Sequence, residues 1–195
     1  MDIREIKDYL LSIKNMTWLY RHDFKCDDNV YENALADFRH DYLRYYPDDS
    51  CIRLCRIEES PQLIAIICYR LARHEFIRGG NSKDSFSLLG RHIGQIELYY
   101  SADIGKSLKI NHGLGSVIGA RCKVGDNFTI HQGCTLGDRN GGRPCIGNNV
   151  TIYAGSSVLG SVEIGDNSVI GANAVVTRTF PADCVLVGSP AKSVR

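Results

Sequence analysis

The sequence predicts a mainly β protein in which a parallel β-helix of hexapeptide repeats follows an all-α N-terminal region. Three observations predict it. Composition changes near residue 95, since fifteen of the nineteen glycines lie beyond it while Trp18 and most Tyr, Phe and Leu lie before it. Apolar residues before that point follow helical spacing. From Ile104 onward an aliphatic residue recurs every six positions, a period that fits neither a helix nor a hairpin sheet.

The helical reading covers residues 1–93. Ile3, Ile6, Leu10 and Ile13 form one apolar stripe, and Tyr31, Leu35, Phe38 and Tyr42 a second. A third apolar stretch runs from Gln62 to Phe76. Asp27-Asp28 and Ser60-Pro61 supply helix starts, and Gly79-Gly80-Asn81-Ser82 a stop and loop.

Residues 94–195 carry the repeat. Its aliphatic positions are Ile104, Ile110, Ile118, Val124, Ile130, Leu136, Ile146, Ile152, Val158, Ile164, Ile170 and Val176, and seven of these twelve are followed at once by glycine. A triangular prism explains the period, because each short strand supplies one inward aliphatic side chain and then turns a corner. Gly, Asn and Asp suit such corners. Three hexapeptides close one coil, so the run through Val176 builds about four coils, each needing neighbours to bury its core.

The register breaks twice. Ile110 to Ile118 is eight residues and spans Asn111-His112-Gly113-Leu114-Gly115; Leu136 to Ile146 is ten and spans Gly137 to Cys145. The second reads as a loop without regular structure leaving the prism wall. Loops carried by a rigid solenoid are where ligand contacts are expected.

Composition narrows the partners. With 44% hydrophobic and 23% charged residues the chain can bury a sizeable core, and a net charge of +1 without charge blocks removes the footprint of a nucleic-acid or anionic-membrane binder. The longest apolar run, Leu63 to Cys68, is far too short to span a bilayer, and the start Met1-Asp2-Ile3-Arg4-Glu5 carries early acids. The eight cysteines form no Cys-x-x-Cys pair and read as small core residues of a protein in a reducing, cytoplasmic compartment.

Over residues 60–195 the sequence resembles the serine acetyltransferase branch of the hexapeptide acyltransferases, including relatives that O-acetylate polysaccharides. The resemblance runs through Gln95-Ile96-Glu97-Leu98, Ala102-Asp103-Ile104-Gly105, Ile110-Asn111-His112-Gly113, Thr135-Leu136-Gly137, Ala172-Asn173-Ala174-Val175-Val176 and the closing Val187-Gly188-Ser189-Pro190-Ala191-Lys192. It implies a left-handed β-helix, although parallel crossovers are ordinarily right-handed. It also implies acetyl transfer from acetyl-CoA to a hydroxyl without an acyl-enzyme and without a metal.

A neutral alcohol is a poor nucleophile and needs a base as it attacks the thioester; an imidazole, with an ordinary pKa of about 6.5, suits the task. His112 is the candidate base. Counting back fifteen positions, where the family has an aspartate, gives Glu97 as the carboxylate that orients the imidazole. Asn111 stands where the family has an aspartate before the histidine, so the resemblance implies that it lies in the acceptor site without that aspartate's acidic contribution to binding. In the long loop the family's Arg-His-Pro becomes Gly142-Arg143-Pro144, and Asp138 replaces a glycine. Arg143 keeps one cation for an acceptor carboxylate, whereas Asp138 would repel that carboxylate and accept hydrogen bonds from sugar hydroxyls. The balance points to a sugar hydroxyl of a surface polysaccharide or its precursor, with L-serine as the alternative.

The resemblance places acetyl-CoA in a groove between adjacent β-helices, against Gly137, Ala154, Gly155, Gly171, Ala172 and Lys192. A backbone N–H near Gly137 or Asp138 would support the thioester oxyanion. It implies a homotrimer with sites between subunits and leaves open a hexamer built from two trimers. Two other readings stand beside it. A metal enzyme would need three converging histidines, but the repeat region holds only His112 and His131, and His131 reads as a corner residue. A non-catalytic scaffold is the other, since solenoids make good assembly modules.

Overall fold

The computed structural model describes residues 3–17 and 24–195; Met1, Asp2 and Trp18, which enter the sequence reading, lie outside them. Among the described residues five helices precede fifteen short strands. The helices are α1 (Ile3–Asn15), α2 (Asp28–Leu43), α3 (Leu54–Glu58), α4 (Pro61–Arg78) and α5 (Lys83–Gly94). In α1 the buried residues are Ile6, Leu10 and Ile13, the stripe that the sequence spacing marks.

Helix α4 is the centre of the helical part. Its N-terminus follows the sequence signal: the Ser60 hydroxyl accepts from the Leu63 N–H at 3.3 Å, and Pro61 occupies the first turn, where a missing N–H costs nothing. Gly79, with φ 77°, closes it in a left-handed cap. The five-residue α3 has no counterpart in the sequence reading, because so short a segment shows no period. Helix α5 continues to Gly94, one residue past the expected division at 93.

Beyond α5 the chain climbs a three-walled prism. Leu98, Ile118, Leu136, Val158 and Val176 stack on the first wall, each directly above the last by parallel pairing. Ile104, Val124, Ile146 and Ile164 stack on the second, with Phe180 bridging to Ile164. Ile110, Ile130, Ile152, Ile170 and Leu186 stack on the third. All twelve repeat positions read from the sequence are buried inside, at 5% exposure or less. The coil therefore makes four turns from Leu98 to Val176. It starts one repeat earlier than the sequence reading had it, since Leu98 lies six before Ile104. It also continues past Val176, where a four-residue step to an aromatic, Phe180, hides the period.

Both ends of the prism have exposed ladder groups to satisfy, and each is covered. At the first coil the helices do it with side chains. The Tyr69 hydroxyl accepts from Ile104 N at 3.1 Å and donates to Ala102 O at 2.9 Å. The Tyr45 hydroxyl accepts from Ile110 N at 2.6 Å and lies 3.0 Å from Ile110 O. The Arg70 guanidinium donates to Ile104 O and Gly105 O at 2.7 and 2.6 Å while pairing with buried Asp41 at 2.8 and 2.9 Å. Asp41 in turn accepts from Leu108 N at 2.7 Å. At the last coil, Lys192–Ser193 folds back antiparallel on Val185–Val187.

Four cysteines (Cys68, Cys122, Cys134 and Cys184) are buried, as expected of small core residues. Cys51, Cys55 and Cys145 are exposed, which corrects the reading for those three; composition does not distinguish a residue facing in from one facing out, whether before or within α3 or on a wall. No helix among the described residues is long and apolar enough to cross a membrane.

Candidate active site

The first register break forms a corner between the third and first walls. His112 sits at its apex, exposed, with φ 58°, a left-handed conformation that histidine tolerates better than most side chains. Gly113 is required beside it, because a Cβ there would lie 2.5 Å from Ile110 Cγ2 and 3.2 Å from Ile96 Cδ1. The returning strand is tied to the start of the first wall: Gly115 N–H donates to Gln95 O at 2.9 Å, and Glu97 N–H donates to Ser116 O at 2.9 Å. The His112 corner is thus fastened to the backbone on both sides of Ile96, immediately before the Glu97 side chain.

The Glu97 side chain is not paired with His112. Its Oε1 lies 3.5 Å from Arg91 Nη1, at the end of α5, and the His112 imidazole is unpaired among the described residues. Arg91, Gln95, Glu97 and Gly115 line a shallow cavity of about 200 Å³ at this place. Sequence spacing locates Glu97 beside the His112 turn but carries no information on Arg91, a competitor six residues upstream.

Asn111 turns its amide toward the next coil. Its Nδ2 lies 3.3 Å from His131 Nε2, and the His131 ring stacks on Tyr153 of the coil after that, with centroids 4.8 Å apart and planes at 29°. Burial, and then the charge of His112, hold the His131 imidazole below its ordinary pKa. His131 lies on the corner, as expected, with contacts from the coil before it and the coil after it. The signal was present in the sequence: Asn111, His131 and Tyr153 each directly follow a third-wall aliphatic, so the repeat stacks them.

Ala154, Gly155, Gly171 and Ala172 lie on the same corner in the third and fourth coils, with Ala172 and Gly155 exposed. Gly155 has a structural reason of its own, φ 73° and an Asn173 Oδ1 that would lie 2.2 Å from a Cβ. Lys192 is exposed on the closing strand.

The second register break lies at the opposite end of the first wall, between it and the second wall. It is not a loop without regular structure: Arg139 and Gly142 pair antiparallel across Asn140-Gly141, both at positive φ, which makes a tight hairpin. Asn-Gly is the dipeptide that favours this turn, a signal the sequence reading passed over. Asp138 and Arg143 flank the hairpin and form an ion pair. Arg143 Nε also donates to Ala120 O at 3.0 Å and Nη1 to Gly142 O at 2.9 Å, leaving Nη2 without a partner among the described residues. Within this chain, then, Gly137, Asp138 and Arg143 are not brought to His112. A wall separates them. Among the described residues no group of three His, Cys, Asp or Glu side chains has the geometry to hold a metal ion.

Comparison with known proteins follows the same lines. Residues 146–178 match the family model described as bacterial transferase hexapeptide (six repeats). The chain is 41% identical over 144 residues to a serine acetyltransferase of Helicobacter pylori strain ATCC 700392 / 26695, covering 69% of this chain and 81% of the relative. The chain belongs to the serine acetyltransferase-like branch of the hexapeptide-repeat acyltransferases. It is an acetyltransferase, and its β-helix is left-handed. A Neisseria gonorrhoeae serine acetyltransferase crystallised with serine superposes with a TM-score of 0.80 at 26% identity, covering 100% of this chain and 84% of that one. A Brucella abortus strain S19 serine acetyltransferase crystallised with coenzyme A gives a TM-score of 0.72 at 26% identity, covering 85% and 72%.

Proposed function

We propose that this acetyltransferase moves the acetyl group of acetyl-CoA to the hydroxyl of L-serine, with His112 as general base. The observation that carries the acceptor is the extent of likeness to serine acetyltransferases, which outweighs the altered loop residues that favour a sugar. In the proposed step the His112 imidazole takes the hydroxyl proton as the oxygen attacks the thioester carbon. The tetrahedral intermediate collapses with departure of the CoA sulfur, which receives that proton from the imidazolium. The exposed and unpaired His112 ring suits such a shuttle. Glu97 would orient the imidazolium by swinging from Arg91 to the ring, a short movement for a partly exposed carboxylate beside the same turn.

Acetyl-CoA would lie along the corner of Ala154, Gly155, Gly171 and Ala172, where small side chains let a flat pantetheine arm approach the backbone. Lys192 would meet its phosphates, and Gly137 or Asp138 N–H the oxyanion. Because a wall separates Arg143 from His112, the reading requires the loop of a second protomer, so the working unit is a homotrimer, with a hexamer as a further level. Exposed Leu114, Tyr153 and Val187 on the His112 corner support burial there. No metal takes part in this scheme, and it places the enzyme in the cytoplasm.

A second reading rests on one observation. Asp138 already pairs with Arg143, and a neutralised cation reads an uncharged sugar hydroxyl of a polysaccharide precursor as readily as a carboxylate. Free-thiol release from acetyl-CoA, measured with L-serine and in parallel with nucleotide sugars and oligosaccharides, separates the two. Release with L-serine alone supports the first reading; release with a glycan alone replaces it with the second; silence with every acceptor favours a non-catalytic scaffold and overturns both.

A further inference from the structure

We propose that His131 is a positioning residue for the His112 turn: its Nε2 accepts from the Asn111 amide, and its stack on Tyr153 fixes the plane from which it does so. The inference rests on the reading of His112 as the base. Three consecutive coils contribute. Asn111 belongs to the corner that carries His112, and its Nδ2 is 3.3 Å from His131 Nε2. Tyr153, from the next coil up, presents its ring to the other side of the imidazole. The backbone of His131 is held independently, its N–H on Ile152 O at 3.0 Å and its carbonyl accepting from Ser116 Oγ at 2.7 Å. Side chain and backbone are therefore both fixed, so the ring is a rigid stop against which Asn111 is seated.

The hydrogen bond specifies a protonation state. Nε2 can accept only while unprotonated, which places the single ring proton on Nδ1. The titratable groups facing the ring are the His112 imidazole and the Tyr153 phenol; among the described residues no carboxylate, lysine or arginine pairs with it. Burial and the His112 charge both favour the neutral form, in agreement with this role. Protonation would turn Nε2 into a donor facing the amide N–H, which the Asn111 amide meets only by turning over to present Oδ1, and would set a positive charge beside His112. Acid therefore disturbs the seat of the turn as well as the base.

The test follows kcat, and KM for acetyl-CoA, with L-serine across about pH 5 to 8. The proteins are the wild type, His131→Leu, His131→Gln, Asn111→Ala, the Asn111→Ala/His131→Leu double variant and His112→Ala. If the wild type is silent with L-serine, the series is run with whichever glycan releases thiol. Loss of one positioning hydrogen bond predicts about a tenfold fall in kcat for His131→Leu and for Asn111→Ala, with KM for acetyl-CoA within about twofold. The double variant falls no further than either single one. Gln at 131 restores kcat to within about threefold, since its carbonyl oxygen accepts but does not titrate. The acid limb then loses one proton, its slope dropping from near two to near one. Imidazole ¹⁵N shifts in the wild type, which need no acceptor, report the Nδ1–H form of His131.

A His131→Leu protein with wild-type kcat and acid limb overturns the proposal. So do losses that multiply in the double variant, or an Nε2–H form. If His131→Leu does not fold, Gln at 131 and Asn111→Ala decide by the same criteria. Full activity in His112→Ala sinks the base reading and this one with it; an inactive His112→Ala beside multiplying losses sinks this one alone.

Discussion

Asp138 and Arg143 face each other as an ion pair across the base of the Asn140-Gly141 hairpin, one cross-strand step outside the Arg139–Gly142 bridge. The guanidinium is thereby aimed and partly neutralised at once. Two backbone carbonyls and Asp138 take its Nε and Nη1, and Nη2 has no partner among the described residues.

Acceptor affinity should therefore respond to both partners in opposite directions. Asp138→Asn removes the competing charge and should lower KM for L-serine by about three- to tenfold, the scale of a partly exposed charge-assisted contact. Arg143→Gln should raise it by about tenfold or more. Steady-state kinetics with varied L-serine check both, and a higher KM in Asp138→Asn would assign Asp138 itself to the acceptor.

The helical region should be needed for the stability of the first coil. Arg70 and Asp41 are both almost fully buried and together satisfy two carbonyls and one N–H of the prism edge. Arg70→Ala should lower unfolding free energy by about 3–5 kcal/mol, because a buried carboxylate and two carbonyls lose their partner. Replacing both residues with apolar ones should recover little of this, since the backbone groups stay orphaned. Denaturant unfolding of the three proteins measures it.

Glu97 should influence turnover and not binding. Glu97→Gln keeps the shape but not the charge that would stabilise an imidazolium, so kcat should fall by about 10- to 100-fold with KM for acetyl-CoA unchanged. Arg91→Ala, which removes the group now holding that carboxylate, should leave kcat at or above wild type. Equal losses in both variants would show that the Arg91 contact only supports the fold.

Acid should also weaken the folded state through His131. Its folded pKa lies below the ordinary histidine value, so the unfolded chain takes up the proton first and stability falls as pH drops through that value, about 6.5. Melting temperatures of the wild type should fall more steeply than those of His131→Gln between about pH 7.5 and 5.5. Parallel curves would remove His131 from the acid response.

The prism was legible because its physics is periodic. An aliphatic at a fixed place in each repeat marks which side chains face in, and all twelve from Ile104 to Val176 do so, across both register breaks. The caps of α4 were legible too, since Ser60, Pro61 and Gly79 act on their own backbone. The sequence hid contacts between distant segments, such as Arg70 and Tyr45 reaching the prism edge, and also the short-range approach of Arg91 to Glu97 across the end of α5, which follows no repeat. Two further features are readable in the sequence itself. The Asn140-Gly141 pair is a hairpin signal in itself, and Asn111, His131 and Tyr153 share one position of the repeat.

The base assignment is tested most directly by thiol release from acetyl-CoA with L-serine, comparing the wild type with His112→Ala at equal protein concentration. The account predicts L-serine-dependent release that falls by about two to four orders of magnitude in His112→Ala while coenzyme A binding, followed by calorimetry, is retained. Wild-type turnover in His112→Ala would contradict it.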